Sequence, residues 1–221
     1  MTASLDALLA ERYSCRAYGP EEVPEETVRE VFGLAQRTAS WCNTQPWQAV
    51  VTRGDATRDL ATGLAAHVAG SAPSSDLDLP AGYSGVYDER RRTSGFALYA
   101  SLGIERHDRE GRARQTMRNF DFFGAPHVAI VTTDREQGTY GAVDCGGYVA
   151  TLLLALRSRG IDSIAQAAIA MYSDGVRELL ALPEDRLVVC AVSFGYADPD
   201  HPANAFRTER AGVDDVIRIV S

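Results

Sequence analysis

Apolar residues along this chain recur mainly at helical spacing, with a few short runs that favour strands. In "SLDALLAER" Leu5, Leu8 and Leu9 share one face, which predicts a short amphipathic helix. "VPEETVREVFGLAQR" predicts a stronger one, with Val28, Val31, Phe32 and Ala35 in register and Glu25 and Glu26 at the positive end of the dipole. "QAVVT" is a short strand stopped by "RGD", and "ATRDLATGLAAHVAG" returns to helix. Residues 70 to 88 have no period and are rich in Ser, Pro, Gly and Asp, which predicts a long loop. "ERRRTSGFALYASLGI" and "ARQTMRNFDFFG" look helical, the second closing on Phe120, Phe122 and Phe123. "HVAIVTT" is a strand, and "GAVDCGGYVATLLLALRSRG" is a long apolar helix whose early glycines let another backbone come close. "IDSIAQAAIA" fits strand or loop, "SDGVRELLAL" a helix, and "RLVVCAVSFGY" a buried strand. The tail carries prolines, then "FRTER", then a last apolar run.

Helices and strands alternate irregularly, with no repeat and no Gly/Ser linker, which predicts one α/β-type domain over residues 1–221. A net charge of −8 argues against nonspecific nucleic-acid binding, which needs a basic field. Cys15, Cys42, Cys145 and Cys190 are far apart and form no CxxC pair, so reduced thiols are expected rather than disulfides or zinc. The first residues lack the apolar core of a signal peptide, and no uninterrupted apolar run reaches the ~18 residues of a membrane span. The expectation is a cytoplasmic protein with neither a membrane nor a nucleic acid as partner.

No GxGxxG follows a strand, and neither GxxxxGK[ST] nor GxSxG occurs, so the familiar dinucleotide, phosphate-loop and hydrolase signatures are missing. Three polar clusters remain. In "ERYSCRAY" an extended backbone would point Arg12, Ser14 and Arg16 one way, and guanidinium forks with a hydroxyl suit a phosphate. The plainer reading is surface arginines with ordinary ion-pair partners. "ASWCNTQPW" packs Ser40, Trp41, Asn43, Pro46 and Trp47 into one helix-to-strand junction. In "FRTER", Arg207 and Arg210 could join the same anion.

"RYSCRAY", followed about 25 residues later by "SWCNTQPW", resembles the flavin-dependent nitroreductase family. That family shows Arg-x-Ser-x-Arg-x-Phe/Tyr and then Pro-Ser-x-x-Asn-x-Gln-Pro-Trp at this separation. "VDCGGYVATLLLALRSRGIDS" resembles its long central helix and "FRTER" its C-terminal basic motif, so the likeness runs from residue 11 to residue 215. The block from "RRTSGF" to "GAPH" is similar to the nitrobenzoate-reductase-like branch. Two departures stand out: Ala39 replaces the usual Pro and is followed by Ser40 and a bulky Trp41, and Ala165 and Ala167 stand where the family often has Pro or Glu-Gly.

The resemblance implies an α+β fold, with a mainly antiparallel central sheet flanked by helices and a C-terminal extension onto the partner subunit. It implies a homodimer with FMN at the interface and residues 70–123 as a loop and helical lid insertion. Arg12, Ser14, Arg16, Arg207 and Arg210 would hold the FMN phosphate, with Tyr13 beside them. Ser40, Trp41 and Asn43 would lie at the ring of a flavin shared between subunits, and Ala165, Gln166 and Ala167 would run past it. A backbone N–H of Gln166 or Ala167 would sit near N5, and Arg16 could bring charge to the N1/O2 edge. Trp41, Phe120, Phe122 and Phe123 would line the pocket for a small aromatic substrate, with "RNFDFFG" as its lid, although plain core packing fits the three phenylalanines equally well. The implied reaction is ping-pong hydride transfer from NADH or NADPH through N5 to a nitroaromatic or quinone-like acceptor, with no catalytic side chain. Enone or azoline reduction on the same fold, and a non-catalytic flavin binder, stay open at this point.

Overall fold

The computed structural model describes residues 4–221. Its centre is a sheet of β1 (Gln48–Arg53), β2 (His127–Asp134), β3 (Asp162–Gln166) and β4 (Arg186–Gly195), in the order β1-β2-β4-β3 with every pair antiparallel. The alternation of elements along the chain suggested an α/β arrangement, but antiparallel pairing makes the fold α+β. Helices α1 (Leu5–Glu11), α2 (Glu25–Ala35), α3 (Asp55–Gly70), α4 (Gly85–Ser101), α5 (Arg109–Met117), α6 (Gly138–Arg157), α7 (Ala167–Ala170) and α8 (Ser173–Leu180) surround it.

β2 and β4 bury both faces, which is why they read as continuous apolar runs. Ala129, Val131, Cys190, Val192 and Phe194 face one way, onto α2 and α6. Val128, Ile130, Val188 and Ala191 face the other, onto α3, α8 and Phe122. The period of two slips once, where Val131 pairs with Cys190 but Thr132 pairs with Val188. At this bulge the consecutive Val189 and Cys190 both turn toward α6.

α6 crosses the sheet through Cys145, Tyr148, Val149, Leu152 and Leu156. A Cβ on Gly141 would stand 2.6 Å from Thr133 Oγ1, so the close approach foreseen for this helix is real at that position. With the turn before it, Arg135–Arg157 contains an 18-residue window of mean hydropathy 1.3, long and apolar enough to cross a membrane by composition. Asp144 interrupts the run, which hid this length from a reading of unbroken apolar stretches. Its packed inner face marks it as the central core helix.

Helices α4 and α5 pack lightly on the rest of the chain. α4 buries no residue fully and α5 buries only Gly111. The loop before α4 is pinned at Asp76, whose carboxylate takes two hydrogen bonds from Arg177 (2.7 and 2.8 Å) and one from the Val188 amide (2.8 Å).

Candidate functional site

The segment after α1 runs extended, with Cys15 and Ala17 buried and Arg12, Ser14 and Arg16 turned outward into one cleft. Ser14 bridges Ser163 of β3, and the Cys15 amide donates to Ser163 O at 3.2 Å. The chain's other end closes the same cleft. Asn204 accepts from the Arg16 amide (2.8 Å) and donates to Ala17 O (2.9 Å) and Asp198 O (2.8 Å), which fixes the start of "FRTER" against the N-terminal segment. The resulting cleft, of about 270 Å³, is lined by Arg12, Tyr13, Ser14, Arg16, Arg207 and Arg210, and also by Ser94 from α4. Arg207 lies over the Tyr13 ring at 3.9 Å and Arg16 over the Phe206 ring at 5.6 Å.

Among the described residues, none of these four arginines has a carboxylate within 4.0 Å. Arg16, Arg207 and Arg210 donate only to backbone oxygens and the Thr208 hydroxyl. Burial lowers the basicity of Arg12, and the charge of Arg210 lowers it further; burial does the same to Arg16. Ordinary surface ion pairs would not leave four cations facing one cleft in this way. The arrangement fits a multiply charged anion such as a phosphate monoester.

β3 forms the adjoining sheet edge. Ser163 O points outward to Cys15, so the period-two geometry turns the Ala165 N–H and C=O to the same open edge. Gln166 faces inward: it is buried, pairs with Ala191, donates to Asn119 O at 2.9 Å and accepts from the Ser193 hydroxyl. Ala167 opens α7, and its N–H has no acceptor within that helix.

The "SWCNTQPW" junction is a strained turn. Cys42, Asn43 and Gln45 all take left-handed backbone angles (φ 51°, 58° and 48°), which cost non-glycine residues energy and need external support. Support comes from Ser40, whose hydroxyl accepts from the Gln45 amide (2.9 Å), and from Asp144 of α6, which accepts from the Trp41 amide (3.1 and 3.3 Å). Trp47 is buried, stacked on Tyr148 at 5.0 Å and bonded through Nε1 to Gln36. Trp41 is instead 57% exposed and meets the Tyr140 ring edge-on at 4.3 Å. Within one chain this turn shares no lining residue with the arginine cleft.

Comparison with known proteins decides what this pairing of features belongs to: a sequence model described as "Nitroreductase family" matches residues 9–196. The chain belongs to the nitroreductase family. It is 38% identical to a 4-nitrobenzoate reductase of Nocardioides sp. (strain LMS-CY), over 96% of this chain and 87% of that one. It is also 38% identical to the nitroreductase NfnB of Mycolicibacterium smegmatis, over 99% and 93%. The crystal structure of the FMN-dependent M. smegmatis NfnB with NADPH superposes with a TM-score of 0.93, covering 98% and 97% of the two chains. The FMN and NADPH-dependent NfnB of Sphigopyxis sp. strain HMH gives 0.95 at 34% identity, covering 99% and 100%.

In this nitroreductase the lid reading of "RNFDFFG" gives way to core packing. Phe120, Phe122 and Phe123 are 4%, 0% and 2% exposed, and Phe120 and Phe122 sit in the core among Leu60, Leu64, Ile130 and Ile169. The cause is a reversal after α5: Phe122 and Phe123 take φ of 55° and 56°, and Asp121 caps the turn through the Phe123 amide and pairs with Arg118. The rings are thereby driven inward, away from solvent. Ser94, Tyr140 and Asp144 went unnoticed in the sequence, because each meets its cluster only through the fold.

Proposed function

We propose that this chain is an FMN-dependent oxidoreductase that uses NADH or NADPH to reduce nitroaromatic or quinone-like acceptors by a ping-pong exchange. The observation that carries it is the carboxylate-free cluster of four arginines and Ser14 at an open sheet edge. That donor set fits the phosphate of FMN in charge, in hydrogen-bond chemistry and in its lack of carboxylate partners among the described residues. When bound, FMN supplies the redox chemistry, taking hydride at N5 from the nicotinamide and passing two electrons to the acceptor.

The chain's own residues have the remaining tasks. Arg12, Ser14, Arg16, Arg207 and Arg210 anchor the phosphate, and Tyr13 holds Arg207 in place. Of the two candidate donors near N5, the Ala167 amide is favoured over Gln166, whose N–H is directed to β4. Arg16 is the arginine with charge to offer toward the ring edge. Ser40, Trp41 and Asn43 serve the flavin of a second subunit, because the turn and the arginine cleft are separate surfaces of one chain.

A homodimer follows from that division of labour. The exposed apolar residues Val213, Val216, Ile217, Ile219 and Val220 of the tail suit a wrap onto the partner. The outer face of α6, with Val143, Gly146, Gly147 and Ala150, suits close packing against it. We read the whole chain as one FMN-binding domain with 70–123 as an inserted arm, acting in the cytoplasm with free thiols.

The test is the visible spectrum of purified protein before and after anaerobic NADPH, then after a nitroaromatic. Flavin absorption that bleaches and returns supports the reading. Flavin that persists leaves a binder with another donor or none, and protein that takes up no FMN overturns the assignment.

A further inference from the structure

Beside the strained turn lies an open site of about 460 Å³ whose lining includes Trp41, Thr44, Gln137, Thr139, Tyr140 and Asp144. Its walls fall into two kinds. Trp41 and Tyr140, each 57% exposed and set at 71° to one another, form a corner with ring surface left over for a third aromatic ring. Around that corner stand the neutral hydroxyls of Thr44 and Thr139 and the amide of Gln137, able to hydrogen-bond a nitro or carbonyl oxygen.

The one formal charge lining the site is negative. Asp144 holds the Trp41 amide through both carboxylate oxygens and, among the described residues, has no cation within 4.0 Å. Arg135, the arginine nearest in sequence, donates to Glu184 O at 3.1 Å, and buried Arg186, which like Asp144 acts on Cys145, spends its donors on Thr132 and Pro46 O rather than on Asp144. Within one chain, an aromatic carboxylate entering the corner would meet a like charge that has no ion-pair partner in a half-buried setting, while a neutral ring would meet no such repulsion.

We propose that this face is the acceptor site and that it selects neutral or cationic aromatic acceptors over those bearing a carboxylate, with Asp144 as both the charge filter and the positioning residue for Trp41. The proposal rests on the flavin reading above, in which the same turn presents Ser40 and Asn43 to the ring. Two of the relatives are 4-nitrobenzoate reductases, so the selection would set this chain apart from them within one fold.

The experiment compares kcat/KM of FMN-loaded dimer for 4-nitrobenzoate, its methyl ester and a 4-nitrobenzyl trimethylammonium salt, with ferricyanide as a non-aromatic acceptor. The ester and the cation are expected to exceed the acid by about tenfold or more. Asp144→Asn keeps an oxygen for the Trp41 amide and should bring the ester-to-acid ratio toward one, a ratio that a general loss of activity leaves unmoved. Tyr140→Ala should lower kcat/KM for all three aromatic compounds relative to ferricyanide. Equal rates for ester and acid, or a ratio indifferent to Asp144→Asn, would sink this inference while leaving the reductase intact. Failure to bleach flavin with NADPH would remove the functional reading, and this inference with it.

Discussion

Arg12 and Arg210 repel one another across a cleft that offers no carboxylate to either. Replacing one of them should therefore have opposite effects on two forms of the protein. Arg12→Gln or Arg210→Gln is expected to raise FMN's dissociation constant by about tenfold or more, the cost of losing a charge-assisted contact. The melting temperature of the FMN-free protein should hold or rise, because the repulsion is relieved. Fluorescence titration with FMN and thermal melts of both forms read the two signs; a fall in stability of the FMN-free form would show the arginines to be structural. The pH response has a definite sign as well. Burial lowers the guanidinium pKa of Arg12 and Arg16, but arginine is protonated throughout the neutral range, so affinity should stay flat from about pH 7 to 9. It should weaken below about pH 6, where the phosphate rather than the protein takes up a proton. These arginines were legible in the sequence, because alternation along an extended segment is a local property. Ser94, which completes the same cleft from α4, carried no local sign. Ser94→Ala should weaken FMN by roughly two- to tenfold, measured by the same titration.

Among the elements, those with a clean period were readable and those that change conformation midway were not. α2 and α6 keep one buried face, and β2 and β4 are apolar runs buried on both faces. "IDSIAQAAIA" resisted because it is β3 up to Gln166 and α7 from Ala167, two periods within ten residues. "RNFDFFG" misled for a related reason: three phenylalanines after a helix suggest a flap, yet the positive φ angles that fold them inward leave no mark in a hydropathy pattern. Phe122→Ala should cost about 3–5 kcal/mol in urea unfolding, as expected of a fully buried ring and not of a mobile lid. Gly141→Ala tests the seat of α6 on β2, where a methyl group would collide with Thr133. Overpacking there should cost about 1–3 kcal/mol by the same measurement, and a neutral result would mean the two elements can part without penalty.

At the scale of the whole molecule, the apolar tail and the outer face of α6 remain uncovered in a single chain. Deletion of residues 213–221 is expected to convert dimer to monomer in light scattering and to release FMN together with the loss of the second subunit. A full-length protein that is monomeric yet retains FMN would refute the shared site. The resemblance already implied a flavin shared between subunits; the separation of the turn from the arginine cleft, which have no lining residue in common, supports that reading and could not be read from one chain's residue pattern.

The hydrogen bond from the Arg16 amide to Asn204 spans 188 residues, and Arg207 and Arg210 come later still. On the ribosome, at roughly 5–20 residues per second, the first half of the anion cradle therefore waits on the order of ten seconds or more for the second. No nascent chain can hold the cofactor's phosphate with both sets of arginines, so loading must follow release from the ribosome. A message cut short between Tyr196 and Arg207 yields a chain with all four strands and both core clusters but an incomplete cradle, and on the flavin reading proposed above yellow colour in this protein becomes a report that translation ran past that codon.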